Sequence, residues 1–148
     1  MSLLPRKGLL AIAAVVDVAL HARGRPVSAK VLAARHGLPP RHLEPVLQAL
    51  VRDGVLKGVR GPRGGYELAR ERRRISVEDI IKAAESEEDE TDIKLSGSVL
   101  LKSVILPAVA EAEQIFSGAL ARVNVEDLVR SAHTTGAAEE SKEVDFTI

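Results

Sequence analysis

Residues 59–68 read VRGPRGGYEL, and this stretch decides how the first half of the chain is organised. The apolar segments on either side, residues 55–60 and 66–68, predict the two strands of a hairpin whose tip is rich in glycine and arginine. A nucleotide-binding P-loop would end in Lys-Ser or Lys-Thr, and a dinucleotide fingerprint would run into a helix. Neither pattern is present, so the tip is either a basic surface turn or a finger that touches a polyanion.

Three helices are predicted before this hairpin. Residues 9–21 are apolar nearly all round, which is typical of a helix that is buried on most sides. We expect Ser28 to cap a short second helix, residues 29–36, and Gly37 to end it. A turn at two consecutive prolines leads to a third helix, residues 41–53. This order predicts a mainly α fold, a winged helix-turn-helix with a two-stranded hairpin as its wing.

The third helix has an apolar face and a polar face. The apolar residues recur at steps of three and four, and they are Leu43, Val46, Leu47 and Leu50. The opposite face carries Arg41, Glu44, Gln48 and Arg52. Pro45 lies inside the helix, where it removes one backbone hydrogen bond. We therefore expect either a helix that begins late or a kinked first turn.

The second half of the chain predicts helices around an acidic loop. Ser76 and Asp79 have the spacing of a capping box at the start of a fourth helix. Asn124 is expected to cap a last helix, residues 125–132. These signals divide the chain into a winged-helix domain (1–84), an acidic linker (85–96), dimerisation helices (97–132) and a disordered tail (133–148).

A longer helix is predicted within residues 99–123, and Pro107 is expected to mark its regular start or a bend. Its apolar residues recur at alternating steps of four and three, the repeat of about 3.5 residues found in coiled-coil seams. The seam consists of Leu101, Ile105, Ala108, Ala112, Ile115 and Ala119. We expect it to form a homodimer interface. The alternative is that it packs onto the first helix of its own chain.

The net charge of zero conceals two halves of opposite sign. Up to Lys82 there are 16 Lys and Arg against 7 Asp and Glu, whereas from Ala83 onward there are 5 against 14. A basic half that contains a winged helix predicts binding to nucleic acid, with Arg60 and Arg63 of the hairpin tip near phosphates. The alternative is a winged helix that binds protein and a tip that is merely solvated.

Composition and the N-terminus favour a cytoplasmic protein. The 148 residues contain no cysteine, which excludes disulfides and thiolate metal sites and is compatible with a reducing compartment. Arg6 and Lys7 before an apolar segment resemble a signal peptide, but Asp17 interrupts the segment. No run reaches the roughly 18 apolar residues of a membrane span, so no membrane partner is expected.

Several short motifs occur together in the first half of the chain: Lys7-Gly8, Asp17-Val18-Ala19-Leu20, Leu43-Glu44, Gly54, Val59-Arg60-Gly61-Pro62 and Gly64-Gly65-Tyr66. Their sequence and spacing resemble the signature of the Rrf2 family of bacterial transcription regulators. The match runs from about Lys7 to Ala84, and beyond Glu85 it is only architectural. The resemblance implies a dimeric repressor or activator on a roughly two-fold symmetric operator, with a long C-terminal helix that crosses its mate.

The resemblance also implies that Arg41, Glu44 and Arg60 read sequence. A glutamate can accept a hydrogen bond from a cytosine amino group, and an arginine suits guanine or a narrow minor groove. The alternative for Glu44 is an i, i+3 ion pair with Arg41. Arg41 and Pro45 differ from the residues that some relatives have at these positions. The operator sequence can therefore not be inferred from those relatives. The full set of predicted DNA-binding residues is Lys7, Ser28, Arg41, His42, Glu44, Gln48, Arg60 and Arg63.

No cofactor or metal is predicted. Cluster-bearing relatives carry three cysteines between the fourth helix and the dimer helix, whereas residues 85–99 contain none, so a thiolate-ligated iron–sulfur cluster is impossible. The acidic stretch ESEEDETD, residues 85–92, lacks the glycine and the ligand spacing of a calcium loop. The chain also lacks catalytic motifs, so an enzyme is not expected.

We therefore predict a homodimer that binds double-stranded DNA and regulates transcription, as a repressor that occludes a promoter. Two further possibilities stay open. In one, the acidic C-terminal half docks a protein partner that controls the winged helix. In the other, a small-molecule effector binds at the dimer helix.

Overall fold

The computed structural model describes residues 4–85 and 98–140. Within these ranges, three helices, a hairpin and a fourth helix are followed by a long helix and two shorter ones. The elements are α1 (Arg6–His21), α2 (Ala29–Arg35), α3 (Pro40–Arg52), β1 (Leu56–Val59), β2 (Gly65–Leu68), α4 (Val77–Ala84), α5 (Leu106–Ala121), α6 (Val125–Thr135) and α7 (Ala137–Glu140). The predicted mainly α winged helix-turn-helix is confirmed. The acidic linker, except for Glu85, lies outside the described residues.

Helix α1 forms the centre of the fold. Its residues Ala11, Ala14, Val15 and Val18 are fully buried, and the helix contacts α3, α4 and α6. Small side chains at these positions let the neighbouring helices approach closely. The prediction of a helix buried on most sides is confirmed, although Leu9 is exposed and the helix begins three residues earlier than expected.

Helix α2 has the predicted signals at both ends. The Ser28 hydroxyl accepts a hydrogen bond from the Val31 N–H at 3.2 Å. Gly37 follows the helix with a φ of +61°, a left-handed conformation that glycine adopts without steric cost. The chain then turns into α3, where Pro39 precedes the first helical residue.

Helix α3 begins at Pro40 and continues through Pro45 to Arg52. A proline is favourable at the first helical position because its missing N–H would have no partner there. Pro45, in contrast, removes a hydrogen bond from the helix interior. The alternative that the helix begins late is therefore wrong. Packing of the buried apolar face, which includes Leu43 and Leu47, offsets the lost bond.

Asp17 is the buried charge of the described core, with 2% of its surface exposed. One carboxylate oxygen lies 2.8 Å from Nε2 of His36, at hydrogen-bonding distance. The other lies 3.6 Å from the Arg35 guanidinium, and neither that oxygen nor Arg35 Nε has a hydrogen-bond partner. A buried carboxylate is costly unless it is paired. The end of α2 is therefore held at one place on α1.

The hairpin is antiparallel, with pairs running from Leu56 and Leu68 to Val59 and Gly65. The first strand is one residue shorter at each end than predicted, and the second begins one residue earlier. The base of the hairpin is closed by the Ala69 N–H, which donates to the Val55 carbonyl at 3.0 Å.

Helices α4 and α6 begin side by side. The predicted N-caps Ser76 and Asn124 are confirmed, and each forms a capping box with the aspartate three residues later. Two backbone hydrogen bonds join the two starts. The Val77 N–H donates to the Val123 carbonyl at 2.8 Å, and the Val125 N–H donates to the Ile75 carbonyl at 2.9 Å.

An unpredicted 3-10 turn, Arg72–Arg74, precedes α4. Arg72 forms an ion pair with Glu126 of α6 at 2.6 Å. The segment that leads into α4 is thereby joined to the start of α6.

A π-helical segment, Leu101–Ile105, leads directly into α5. Its wider turn is visible in the hydrogen bond from the Leu106 N–H to the Leu101 carbonyl, five residues back. Pro107 lacks the N–H that would bond to the Ser103 carbonyl, and a missing donor favours such a turn. The expectation that the regular helix starts near Pro107 is confirmed.

Helix α5 lies on the outside of the fold and attaches near its C-terminal end. Residues 106–115 are all exposed, and the half-buried ones are Phe116, Ser117 and Leu120. The Ser117 hydroxyl donates to the Glu78 carboxylate of α4 at 2.6 Å. Hydrogen bonds from Lys82 and then from Ser117 lower the pKa of Glu78, which keeps this contact charged.

The helix Leu101–Ala121 is long and apolar enough to cross a membrane by length and composition alone. No uninterrupted apolar run of that length is expected from the sequence, and charged residues do interrupt this helix. Such a helix is weak evidence for a membrane span, and Glu111 and Glu113 near its middle would be costly in a bilayer.

The C-terminal region is more helical than predicted. Helix α6 extends to Thr135 and ends at Gly136, whose φ is +80°. Helix α7 follows, and Ala138 within it is buried. The prediction of a disordered tail is therefore wrong for residues 133–140, because Gly136 turns the chain and lets Ala138 pack. Residues 141–148 lie outside the described residues, and the division into domains stays a prediction.

Replacing Asp17 tests its role in the core. Asp17→Ala should lower the free energy of unfolding by about 3–5 kcal/mol, because it leaves the Arg35 guanidinium without its counter-charge. Urea unfolding followed by circular dichroism measures the change. As a control, Lys57→Ala breaks the exposed pair with Glu67 and should cost at most about 1 kcal/mol. Equal losses in the two variants would contradict the role of Asp17.

Candidate nucleic-acid interface

Helix α3 turns a polar face away from the core. Besides Pro40 at its start and Val51 near its end, the exposed residues of this helix are Arg41, His42, Glu44, Pro45, Gln48 and Arg52. Four of them follow one another at steps of four, three and four, which places them in one stripe opposite the buried face. This stripe consists of Arg41, Pro45, Gln48 and Arg52, with Glu44 along its side.

The charged side chains of this face form no ion pairs with one another. Among the ion pairs formed by residues 4–85 and 98–140, none involves Arg41, Glu44 or Arg52. The alternative role for Glu44, an ion pair with Arg41, is therefore not seen. Their donors and acceptors are available to a partner molecule.

The wing tip is a tight turn with two exposed arginines. The Gly64 N–H donates to the Gly61 carbonyl at 2.9 Å, and Gly61 has a φ of +118° that a side chain would disfavour. A Cβ on Gly64 would collide with the Val59 carbonyl. Arg60 and Arg63 are exposed and form no ion pair with any part of the chain that the structure describes. The tip is thus compact and cationic.

A backbone bridge fixes the wing to the segment before α2. The Val27 N–H donates to the Tyr66 carbonyl at 2.9 Å, and the Tyr66 N–H donates to the Val27 carbonyl at 2.8 Å. Gly65 lies so close that a Cβ there would meet the Val27 carbonyl and the Ser28 nitrogen. Ser28, at the start of α2, is therefore a neighbour of the wing, and the structure brings these two predicted sites together.

One exposed cation next to this contact is absent from the predicted set. Lys30 lies on the first turn of α2, two residues after the N-cap, and is exposed. A lysine two residues after an N-cap serine is the sequence signal that could have identified it. Lys7, in contrast, is half-buried on the first turn of α1, where the neighbouring Gly8 packs towards Ile81 of α4. Its role in DNA binding stays a prediction.

The predicted seam of the long helix faces solvent. Ile105, Ala108, Ala112, Ile115 and Ala119 are exposed, and Leu101 is half-buried. The alternative, in which this stripe packs onto α1 of its own chain, is therefore wrong. Further apolar residues outside the seam are exposed as well, including Val104 at 59% and Val109 at 46%.

The donor set does not fit an iron–sulfur cluster. The chain has no cysteine, and thiolates are the usual ligands of such clusters. Among the residues placed by the structure, no group of three or more His, Asp or Glu side chains could hold a metal ion.

The chain is similar to known transcriptional regulators. The family model Rrf2, described as an iron-dependent transcriptional regulator, matches residues 4–131. A helix-turn-helix transcriptional regulator of Azotobacter vinelandii, ORF2, is 34% identical over 138 residues, which cover 86% of this chain and 84% of that protein. The regulator IscR of Xenorhabdus nematophila is 39% identical over 88 residues, covering 60% of this chain and 54% of IscR. The chain thus matches about half the length of that relative.

Solved structures of two regulators share the fold. IscR of T. potens superposes with a TM-score of 0.70 at 32% identity, and the match covers 87% of each chain. CymR of B. subtilis, the global cysteine regulator, superposes with a TM-score of 0.66 at 25% identity, covering 88% of this chain and 98% of CymR.

The contact between the wing and α2 can be tested with two glycines of one hairpin. Gly65→Ala should lower the free energy of unfolding by about 1–3 kcal/mol, because the new methyl group forces the Val27 segment away from β2. Gly58→Ala, where a Cβ meets open space, should be neutral or stabilising by about 0.5 kcal/mol. Thermal unfolding of both variants measures the difference. A stable Gly65→Ala protein would show that the bridge is not tight.

Proposed function

The chain belongs to the Rrf2 family of transcriptional regulators, and from this membership we propose that it binds a pseudo-palindromic operator as a homodimer and represses transcription. The family consists of DNA-binding regulators rather than enzymes. We further propose that the protein acts in the cytoplasm, where its DNA target is found.

The observation that carries the proposal is the exposed and unpaired polar face of α3. The major groove of B-DNA admits an α-helix and presents a different pattern of donors and acceptors for each base pair. Arg41 suits guanine, Gln48 suits adenine, and Glu44 can accept from the amino group of cytosine. An ion pair with Arg41 would block this use of Glu44, and none is formed.

The wing would act beside the groove rather than within it. Arg60 and Arg63 carry free positive charge on a compact tip, which suits phosphates or a narrow minor groove. The bridge between Val27 and Tyr66 gives the tip a fixed position relative to α2. Phosphate contacts of this kind position a protein on the duplex, whereas base contacts specify the sequence.

The exposed seam supports a homodimer. Large apolar residues exposed together on one helix are typical of an interaction site, and Ile115 of the seam is 71% exposed. A second copy would cover it because an isologous contact pairs one stripe with itself. Two copies then present two α3 helices to one duplex, and occupation of a promoter by such a dimer would exclude RNA polymerase.

Replacing Arg63 tests the phosphate contact. Arg63→Ala should weaken binding to random duplex DNA and make the slope of log affinity against log salt shallower by about one unit, because one counterion fewer is released. Fluorescence anisotropy of a labelled duplex over a range of KCl concentrations measures the slope. Arg73→Ala is the matched control, since Arg73 is exposed on the 3-10 turn away from the tip. The same slope in both variants would remove Arg63 from the interface.

Replacing Ala112 tests the dimer. Ala112→Glu places two like charges in the centre of the proposed interface and should give monomers in sedimentation equilibrium. Ala110→Glu changes an exposed residue on the opposite side of α5 and should leave the dimer intact. An unchanged assembly state in the first variant would place the interface elsewhere.

A further inference from the structure

Pro45 occupies a central place on the face that α3 presents to solvent. It is exposed and lies on the same stripe as Arg41 and Gln48, four residues after the first and three before the second. The polar neighbours on this stripe have hydrogen-bonding groups, whereas the ring of Pro45 has only methylene groups. The middle of the candidate reading surface is therefore apolar.

The helix gains no stability from a proline at this position. Proline is the least favourable residue in a helix interior, and Pro45 is the sixth residue of α3, well past the first turn. The Pro45 ring is not part of the hydrophobic core, so the ring itself adds no burial to offset that cost, which falls on the packing of the opposite face. Its exposed ring is available for contact with another molecule.

Only one base offers an apolar group in the major groove that could contact such a ring. Guanine, adenine and cytosine present nitrogen and oxygen groups there, and thymine alone adds an apolar group, its C5 methyl. We propose that Pro45 contacts a thymine methyl group next to the base pair read by Glu44, and so acts as a specificity-determining residue. This inference rests on the proposed function, since it requires α3 to lie in the major groove.

The test separates the methyl group from the rest of the base. A preferred operator is first selected from a random duplex pool with the full-length protein. Each thymine is then replaced singly by deoxyuridine, which keeps base pairing and O4 but lacks the methyl group. At the thymine contacted by Pro45, the wild-type protein should bind the uracil operator roughly 3- to 10-fold more weakly.

Two variants assign the effect to Pro45. Pro45→Ser removes the ring and replaces it with a residue of better helix propensity, so the variant should fold, and it should bind the thymine and uracil operators equally. Gln48→Ser, on the same stripe, should retain the discrimination at that thymine. A ratio that is the same in the wild type and in Pro45→Ser would overturn the inference.

The outcomes also separate this inference from the proposed function. A preferred operator at which no thymine depends on its methyl group would overturn the role of Pro45 and leave sequence-specific binding intact. A pool that yields no preferred sequence would overturn both.

Discussion

The carboxylate of Asp17 sets the geometry on which the candidate interface depends. It is buried in α1 and holds the end of α2 through His36 and Arg35. The connection from α2 to α3 is short and contains Gly37, so the position of α2 limits where α3 can begin. Apolar contacts alone would tolerate sliding between helices, whereas a buried charge is destabilising as soon as its partners move. The pairing therefore gives the helix-turn-helix a defined angle.

The wing is also positioned by α2, through a different interaction. Backbone hydrogen bonds between Val27 and Tyr66 join β2 to the residue that precedes the N-cap of α2. Helix α2 is thus attached to α1 at its end and to the wing at its start. The exposed face of α3 and the arginines of the wing tip are both positioned by α2, which contributes few buried residues of its own.

Local chemistry made much of this fold predictable, and long-range contacts account for most of what was not. Capping residues such as Ser76 and Asn124 act within three residues of themselves, so the helix starts can be identified from the sequence. The partners of Asp17 lie 18 and 19 residues away, and no periodicity indicates such a pair. The π-helical turn before Pro107 depends on one missing backbone N–H donor. The end of α6 depends on one residue in the left-handed conformation, Gly136. For the site, residue type and helical face identify candidates, but only packing shows that Arg41 and Glu44 are unpaired.

The attachment of α5 links the assembly to the DNA-binding half. A symmetric operator has a fixed spacing between half-sites, so in a homodimer joined through α5 the distance between the two α3 helices depends on how each α5 meets its own lobe. That junction includes a directional contact, the Ser117 bond to Glu78, and the chain that follows α5 is joined to the start of α4 by backbone bonds. Hydrogen bonds of this kind have a narrow range of geometry. In the proposed homodimer, these contacts would therefore fix the orientation of each α3 relative to the seam of α5.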